Sequence, residues 1–213
     1  MARPRPTFQA KPMPPTRPDD LLRLFIAIEL DDAAIEALST VQEELKPRVP
    51  QGSVRWVDPD GIHLTLKFLG ETPAARRPAI EAALAEACRP LAPFAFTLAG
   101  RGCFPNFRRP NVIWVAALDR GNVLTRLYEA IEAAVAPLGW PTESRAFQPH
   151  LTLGRVRRGL ALRDLAAVGG AVETLEVEQI ATVTVEEVSL MRSELRPGGS
   201  VYTRLFAAKL EGT

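Results

Sequence analysis

The tetrapeptide His63-Leu64-Thr65-Leu66 recurs letter for letter at His150-Leu151-Thr152-Leu153, and these two histidines are the only ones in the chain. Side chains alternate between the faces of a strand, so His and Thr two apart share one face while the two leucines share the other. Each copy predicts a strand that buries Leu and presents a His–Thr pair on its polar side. Two unrelated structural histidines with three matched neighbours apiece would be an improbable coincidence. The repeat points to a duplicated unit that brings two imidazoles to one place.

The flanking chain repeats as well. Arg23 to Leu30 alternates as a strand, with Leu24, Ile26 and Ile28 on one face and Phe25, Ala27 and Glu29 on the other. Asp31 or Asp32 can cap a helix marked by Ile35, Leu38, Val41 and Leu45. A short strand at Val54 to Val57 and a turn at Asp58 to Gly61 lead into the first His strand, Ile62 to Leu69. Gly70 closes that strand, and Thr72-Pro73 reads as the start of a helix on Ile80, Leu84, Ala87, Cys88 and Leu91. Phe94 to Leu98 is a strand running into a Gly-, Pro- and Arg-rich loop, Gly100 to Pro110. Val112 to Leu118 is a strand, Leu124, Leu127, Ile131, Val135 and Leu138 mark a helix, and the second His strand spans Phe147 to Val156.

Strand, helix and His strand thus occur twice, with Phe25 and Trp114 in matching places. Towards the end, Leu162 to Val168 reads as a short helix stopped by Gly169-Gly170. Val172 to Ile180, Val183 to Leu190 and Tyr202 to Leu210 read as strands, and Met191 to Ser200 as a polar loop. Two copies cannot stack as a solenoid. The expected class is α+β, a bilobal duplicated fold in which two mostly antiparallel sheets face a central cleft with the helices on the outside.

Composition bounds the function. With 213 residues and 46% hydrophobic content the chain can build a sizeable core. A formal net charge of +1 gives no whole-molecule attraction to nucleic acid, so any RNA contact needs a local basic patch. Cys88 and Cys103 lack metal-type spacing, Cys88 falls on an apolar helix face, and the expected compartment is a reducing cytoplasm. No apolar run reaches membrane-spanning length. Residues 1–20 form a basic, proline-rich zone with too few apolar side chains to offset the entropy of ordering, so a flexible tail precedes a single bilobal domain over 21–213. The tail is either a bare extension or a weak, salt-sensitive RNA contact.

The paired motif resembles the HxTx motif of the 2H phosphoesterase superfamily. More closely, the chain resembles the bacterial RNA 2′,3′-cyclic phosphodiesterases, also called 2′-5′ RNA ligases. The stretches that carry the resemblance are Arg23 to Ile28, Val54 to Val57, His63 to Gly70, Trp114, Phe147 to Leu153 and Pro197-Gly198-Gly199. The resemblance implies a pseudo-twofold bilobal fold, a site without metal or cofactor, and hydrolysis of a cyclic phosphate to a 2′-phosphomonoester. The implied partners are RNA ends bearing a 2′,3′-cyclic phosphate, tRNA halves among them. No membrane contact is implied, and the expected unit is a monomer.

The residues support such chemistry on their own. Opening a cyclic phosphodiester with water requires one proton removed from the nucleophile and one given to the leaving ribose oxygen. Two imidazoles that titrate near neutrality can serve as base and acid. His63 is assigned as acid to the leaving oxygen and His150 as base to water, although near-symmetric copies fit the reverse as well. Thr65 and Thr152 can donate to the nonbridging phosphate oxygens. Phe25 and Trp114 either stack on a nucleobase or pack the lobe interface. Lys67 shares the His63 face by period two and can contact phosphate.

The resemblance makes Arg155 a phosphate ligand, but strict alternation puts it on the wrong face, so a bulge is required. Arg192, Ser193 and Arg196 either flank the site or form an ordinary solvated loop. A metal hydrolase is disfavoured, because catalytic zinc takes three protein ligands and no such cluster is visible in the sequence. A noncatalytic RNA-end binder and an enzyme acting on small cyclic nucleotides, such as ADP-ribose cyclic phosphate, are the other readings.

Overall fold

A computed structural model describes residue 17, residues 19–196 and residues 199–213. The proline-rich start from Met1 to Thr16, Pro18, and Pro197-Gly198 lie outside the described residues. In chain order the elements are β1 (Leu21–Glu29), α1 (Asp32–Leu45), β2 (Val54–Trp56), β3 (His63–Pro73), α2 (Arg77–Cys88), β4 (Phe94–Phe104) and β5 (Val112–Leu118). They continue with α3 (Val123–Val135), β6 (His150–Val156), α4 (Leu162–Glu173), β7 (Ala181–Val185), β8 (Glu187–Arg196) and β9 (Gly199–Lys209).

All the strand pairings are antiparallel, in the order β7-β4-β5-β6-β3-β1-β8-β9, with β2 also paired to β6. The order divides into two four-stranded halves, each with its His strand innermost. The halves are not separate sheets: β3 and β6 meet at the single pair Leu64–Leu151. Both leucines are fully buried, which stabilises the seam by roughly 1.5–3 kcal/mol per side chain. The last two strands complete the sheet of the first half, whereas β4 and β7 complete that of the second.

The helices lie against the apolar face. α2 packs on α3, α3 reaches β3, and α1 reaches β7, so helices cross from one half to the other. The leucine and isoleucine faces of both His strands share one continuous core with these helices. The opposite face carries a separate small cluster, Phe25, Ala27 and Met191, with Tyr202 against it. Asp31 caps α1, its side chain accepting from Ala34 N at 2.8 Å.

Several boundaries differ from the sequence expectation. Val183 to Leu190 is not one strand: it spans the end of β7, paired with β4 in the second half, and the start of β8, paired with β1 in the first. β3 does not stop at Gly70: with φ +69° the glycine sits at a register shift, and residues 70–73 pair with 21–24. Thr72 is therefore a buried strand residue, not a helix cap, and donates to Gly70 O at 3.3 Å. β4 likewise runs on to Phe104 through a bulge at Gly100. α4 continues through Gly169-Gly170 to Glu173, and residues 174–180 are not strand. A Cβ on Gly169 would come within 1.7 Å of Phe107 O, so this glycine permits close packing on a loop and does not end the helix. Met191 to Ser200 is no loop at its ends, because β8 and β9 stay paired out to Arg196–Gly199. Charged side chains on both faces of that hairpin hide its period.

Candidate active site

Antiparallel pairing about Leu64–Leu151 sets His63 across from Thr152 and Thr65 across from His150. The two histidines are held alike. His63 Nδ1 donates to Gly61 O at 2.9 Å and His150 Nδ1 donates to Gln148 O at 2.7 Å. A carbonyl can only accept, so each Nδ1 carries its proton and each Nε2 is left for chemistry. Both rings are half-buried. Among the described residues, neither threonine hydroxyl has a protein partner.

Their surroundings differ. His63 lies between Phe25, with ring centroids 4.7 Å apart, and the edge of Tyr202 at 5.0 Å. Burial lowers its pKa, while the Gly61 carbonyl and the carboxylate of Glu29 push it back up. Glu29 is the cross-strand neighbour of His63. It is held by Ser189 Oγ at 2.5 Å and Arg204 Nε at 2.6 Å, and Arg204 also reaches Glu187 at 2.6 Å. His150 lies against Phe104 at 4.8 Å and Trp114 at 6.3 Å. Burial lowers its pKa too, the Gln148 carbonyl raises it, and the charge of Arg155 lowers it further.

Matching bulges in the two His strands decide which side chains accompany the histidines. In β3, Ile26 pairs with Lys67 and Ala27 with Thr65, leaving Leu66 as the extra residue. In β6, Ile113 pairs with Gly154 and Trp114 with Thr152, leaving Leu153 extra. Each bulge reverses the alternation. The Leu153 carbonyl that results is bound by Gln42 Nε2 at 2.8 Å and Val57 N at 2.9 Å. Arg155 is thereby carried onto the His face, where it is exposed. The same shift removes Lys67 from that face. Its ammonium is instead buried among the helices, 2.6 Å from Glu132 Oε2 and 2.7 Å from Pro141 O, so the expectation of a phosphate contact is corrected. The residue brought to the place equivalent to Arg155 is Phe68, which is 64% exposed and 6.1 Å from Phe25.

Other expected residues separate in the same way. Phe25 is 2% exposed and walls His63, which leaves it no free ring face for a base. Trp114 is half-buried, one ring face pressed on Gly102, where a Cβ would come within 2.2 Å. By pairing, Trp114 opposite Thr152 matches Ala27 opposite Thr65, and so does not match Phe25. In β8, Ser193 pairs with Tyr202 and shares the His face. Arg192 pairs with Leu24, a core residue, and so points to the other face, where Glu194 binds both Arg192, at 3.0 Å, and Arg196, at 3.2 Å.

Sequence reading missed Tyr202, Phe104, Glu29 and Phe68. Only Glu29, as a carboxylate on the Phe25 face, left a usable signal. Both cysteines are buried, free and pushed up to about 12 by burial, so neither is a nucleophile at neutral pH. Among the described residues no group of three or more His, Cys, Asp or Glu side chains is placed to hold a metal ion. Nor is any described helix long and apolar enough to cross a membrane.

A doubled antiparallel sheet with one His-x-Thr strand from each half at its seam defines a two-histidine phosphoesterase scaffold. Residues 28–114 and 118–202 match the family described as LigT like Phosphoesterase, and the chain belongs to it. It is 33% identical over 189 residues to the RNA 2′,3′-cyclic phosphodiesterase of Methanothermobacter thermautotrophicus, covering 89% of this chain and 99% of that one. It is 36% identical over 200 residues to the protein of the same name from Thermus thermophilus, covering 90% and 91%. Among solved structures it resembles TT0787 of Thermus thermophilus, with TM-score 0.73 and 32% identity over 90% of this chain and 99% of that one. It also resembles E. coli LigT complexed with 3′-AMP, with TM-score 0.69 and 26% identity over 90% and 99%.

Proposed function

We propose that this protein hydrolyses 2′,3′-cyclic phosphate ends of RNA to 2′-phosphomonoesters, with two histidines as the acid and the base and no metal in the step. The observation that carries the reading is the pair of imidazoles on one face, each with Nδ1 tied to a carbonyl and, among the described residues, each with Nε2 free and beside an unpartnered threonine hydroxyl. The relatives' names support the substrate class. His63 is the acid: Glu29 favours its protonated form. His150 is the base: Arg155 favours its neutral form. His150 takes a proton from water as the water attacks phosphorus, the P–O3′ bond breaks, and His63 delivers a proton to O3′. Thr65, Thr152 and Arg155 hold the nonbridging oxygens, where the transition state keeps its charge.

With a 5′-hydroxyl in place of water, the same site joins it to the cyclic phosphate as a 2′-5′ linkage without ATP: the P–O5′ bond forms as P–O3′ breaks, His150 takes the hydroxyl proton and His63 protonates O3′. The test is digestion of a cyclic-phosphate RNA in the presence of a chelator, followed by an assay specific for 2′-phosphate. A 3′-phosphate product, or loss of turnover with the chelator, refutes the reading.

A further inference from the structure

On the His face of the sheet, β2 adds a third cation-bearing position beside Arg155. Arg55 pairs directly with Arg155 across the β2–β6 ladder, so both side chains stand on one face. The ladder continues through Arg157 N to Ser53 O at 2.8 Å, and alternation returns Arg157 to the same face two residues beyond Arg155. Between Arg155 and Arg157, the half-buried Val156 pairs with the buried Val54 and packs against the core. All three arginines are exposed, and among the described residues none has a carboxylate in an ion pair or a hydrogen-bonding partner for its guanidinium. Like charges directly opposite in a sheet repel. Here no intervening acid relieves the repulsion, in a chain whose formal net charge is only +1. An anion between them would relieve it, and guanidinium is suited to phosphate.

Arg155 is already occupied by the reacting phosphate in the reading above. Arg55 and Arg157 extend the cationic strip beyond it, along β2 and the end of β6. A 2′,3′-cyclic phosphate terminates its chain, so every further phosphate of the substrate lies on the 5′ side. We propose that Arg55 and Arg157 bind the phosphodiester immediately 5′ of the terminal nucleotide, which makes the site selective for oligonucleotides over mononucleoside cyclic phosphates. This rests on the phosphodiesterase reading and names the substrate length that it favours.

The experiment compares kcat/KM for a mononucleoside 2′,3′-cyclic phosphate with that for di- and tetranucleotides ending in the same group. It uses wild type, Arg55→Gln, Arg157→Gln and Arg55→Lys over a series of salt concentrations. The oligonucleotide-to-mononucleotide ratio should fall about tenfold in Arg55→Gln, and the oligonucleotide salt slope should drop by about 0.7 per lost cation. Arg55→Lys should keep the slope. An unchanged ratio in both Gln variants, with unaltered melting, overturns the proposal. If wild type turns over neither substrate, the phosphodiesterase reading fails separately. The strip is then judged by salt-dependent binding of a 3′-phosphorylated single-stranded RNA. Equal affinity of wild type and the Gln variants overturns it there, and weaker, less salt-sensitive binding by the variants supports it.

Discussion

Replacing Lys67 with Met separates a structural cation from a phosphate ligand. Lys67 comes from the first half, Glu132 from α3 of the second, and their side chains are 10% and 6% exposed. Glu132 Oε2 also accepts from Glu143 N at 2.9 Å, while Oε1 has no partner among the described residues. Removing the ammonium leaves a buried carboxylate without its counter-charge and Pro141 O without its donor. Breaking a buried pair from one side costs about 3–5 kcal/mol. For a chain of this length each kcal/mol moves Tm by roughly 2–4 °C, so Lys67→Met should melt on the order of 10 °C lower. Adding Glu132→Gln removes the stranded charge and keeps an acceptor for Glu143 N, so the double variant should recover much of the loss. Calorimetry or thermal denaturation reads the stability, and kcat/KM on a cyclic-phosphate substrate below the melting range reads the site. A Tm within about 2 °C of wild type, together with a raised KM, would refute the placement and return Lys67 to the phosphate.

Other outcomes follow from the site. His63→Ala and His150→Ala should each lose about 10²–10⁴-fold in turnover while melting normally; on a phosphodiester with a nitrophenolate leaving group, which needs no acid, His63→Ala alone should recover, and recovery of His150→Ala instead would reverse the roles. Both imidazoles have folded pKa values below the ordinary 6.5, so the unfolded chain binds the extra protons. Their contribution to stability is complete above that value and is lost as pH falls through it towards the folded values. Melting measured between about pH 7 and pH 5, above the ordinary carboxylate range, should fall with pH, and less steeply in a His63→Asn/His150→Asn double variant; parallel slopes would show that the rings are not the source.

The repeat is legible because burial and chemistry impose different demands at alternate positions of one strand: leucines on one face, His and Thr on the other. Val112 to Leu118 is legible to the residue, since its core face, Ile113, Val115 and Ala117, is buried without interruption. What alternation cannot supply is the bulge. One extra residue at Leu66 and one at Leu153 exchange the faces of everything after them, and neither leucine differs in type from its unbulged neighbours. Alternation misplaces Lys67 for that reason, and leaves the face of Arg155 conditional on a bulge. The partners of the histidines are hidden for another reason. Tyr202 lies 139 residues from His63 by number, and only the return of β8 and β9 to the first half brings them together. Glycines mislead where they serve close approach, as at Gly169 and Gly102, because composition cannot tell a tight contact from a chain break.

The backbone at the seam is nearly twofold, yet the reaction needs one acid and one base, so the difference must come from side chains at equivalent places. Pairing identifies those places: Glu29 lies across from His63, and Ala116 lies across from His150. A carboxylate beside one imidazole and a methyl beside the other favours the proton on His63, and Tyr202, the other polar group against that ring, is held edge-on. Glu29→Gln keeps the side chain's size and its contacts with Ser189 and Arg204 but removes the charge. The protonated form of His63 then survives only to a lower pH, so the alkaline limb of the kcat/KM profile should move towards acid while the acidic limb stays. Ala116→Glu adds the missing carboxylate beside His150 and should instead move the acidic limb upward. The limbs belong to a coupled pair, so the test is which limb each substitution moves, not its absolute position. If Glu29→Gln leaves the alkaline limb in place, or shifts the acidic one, the asymmetry of the site lies elsewhere and His63 loses its claim to be the acid.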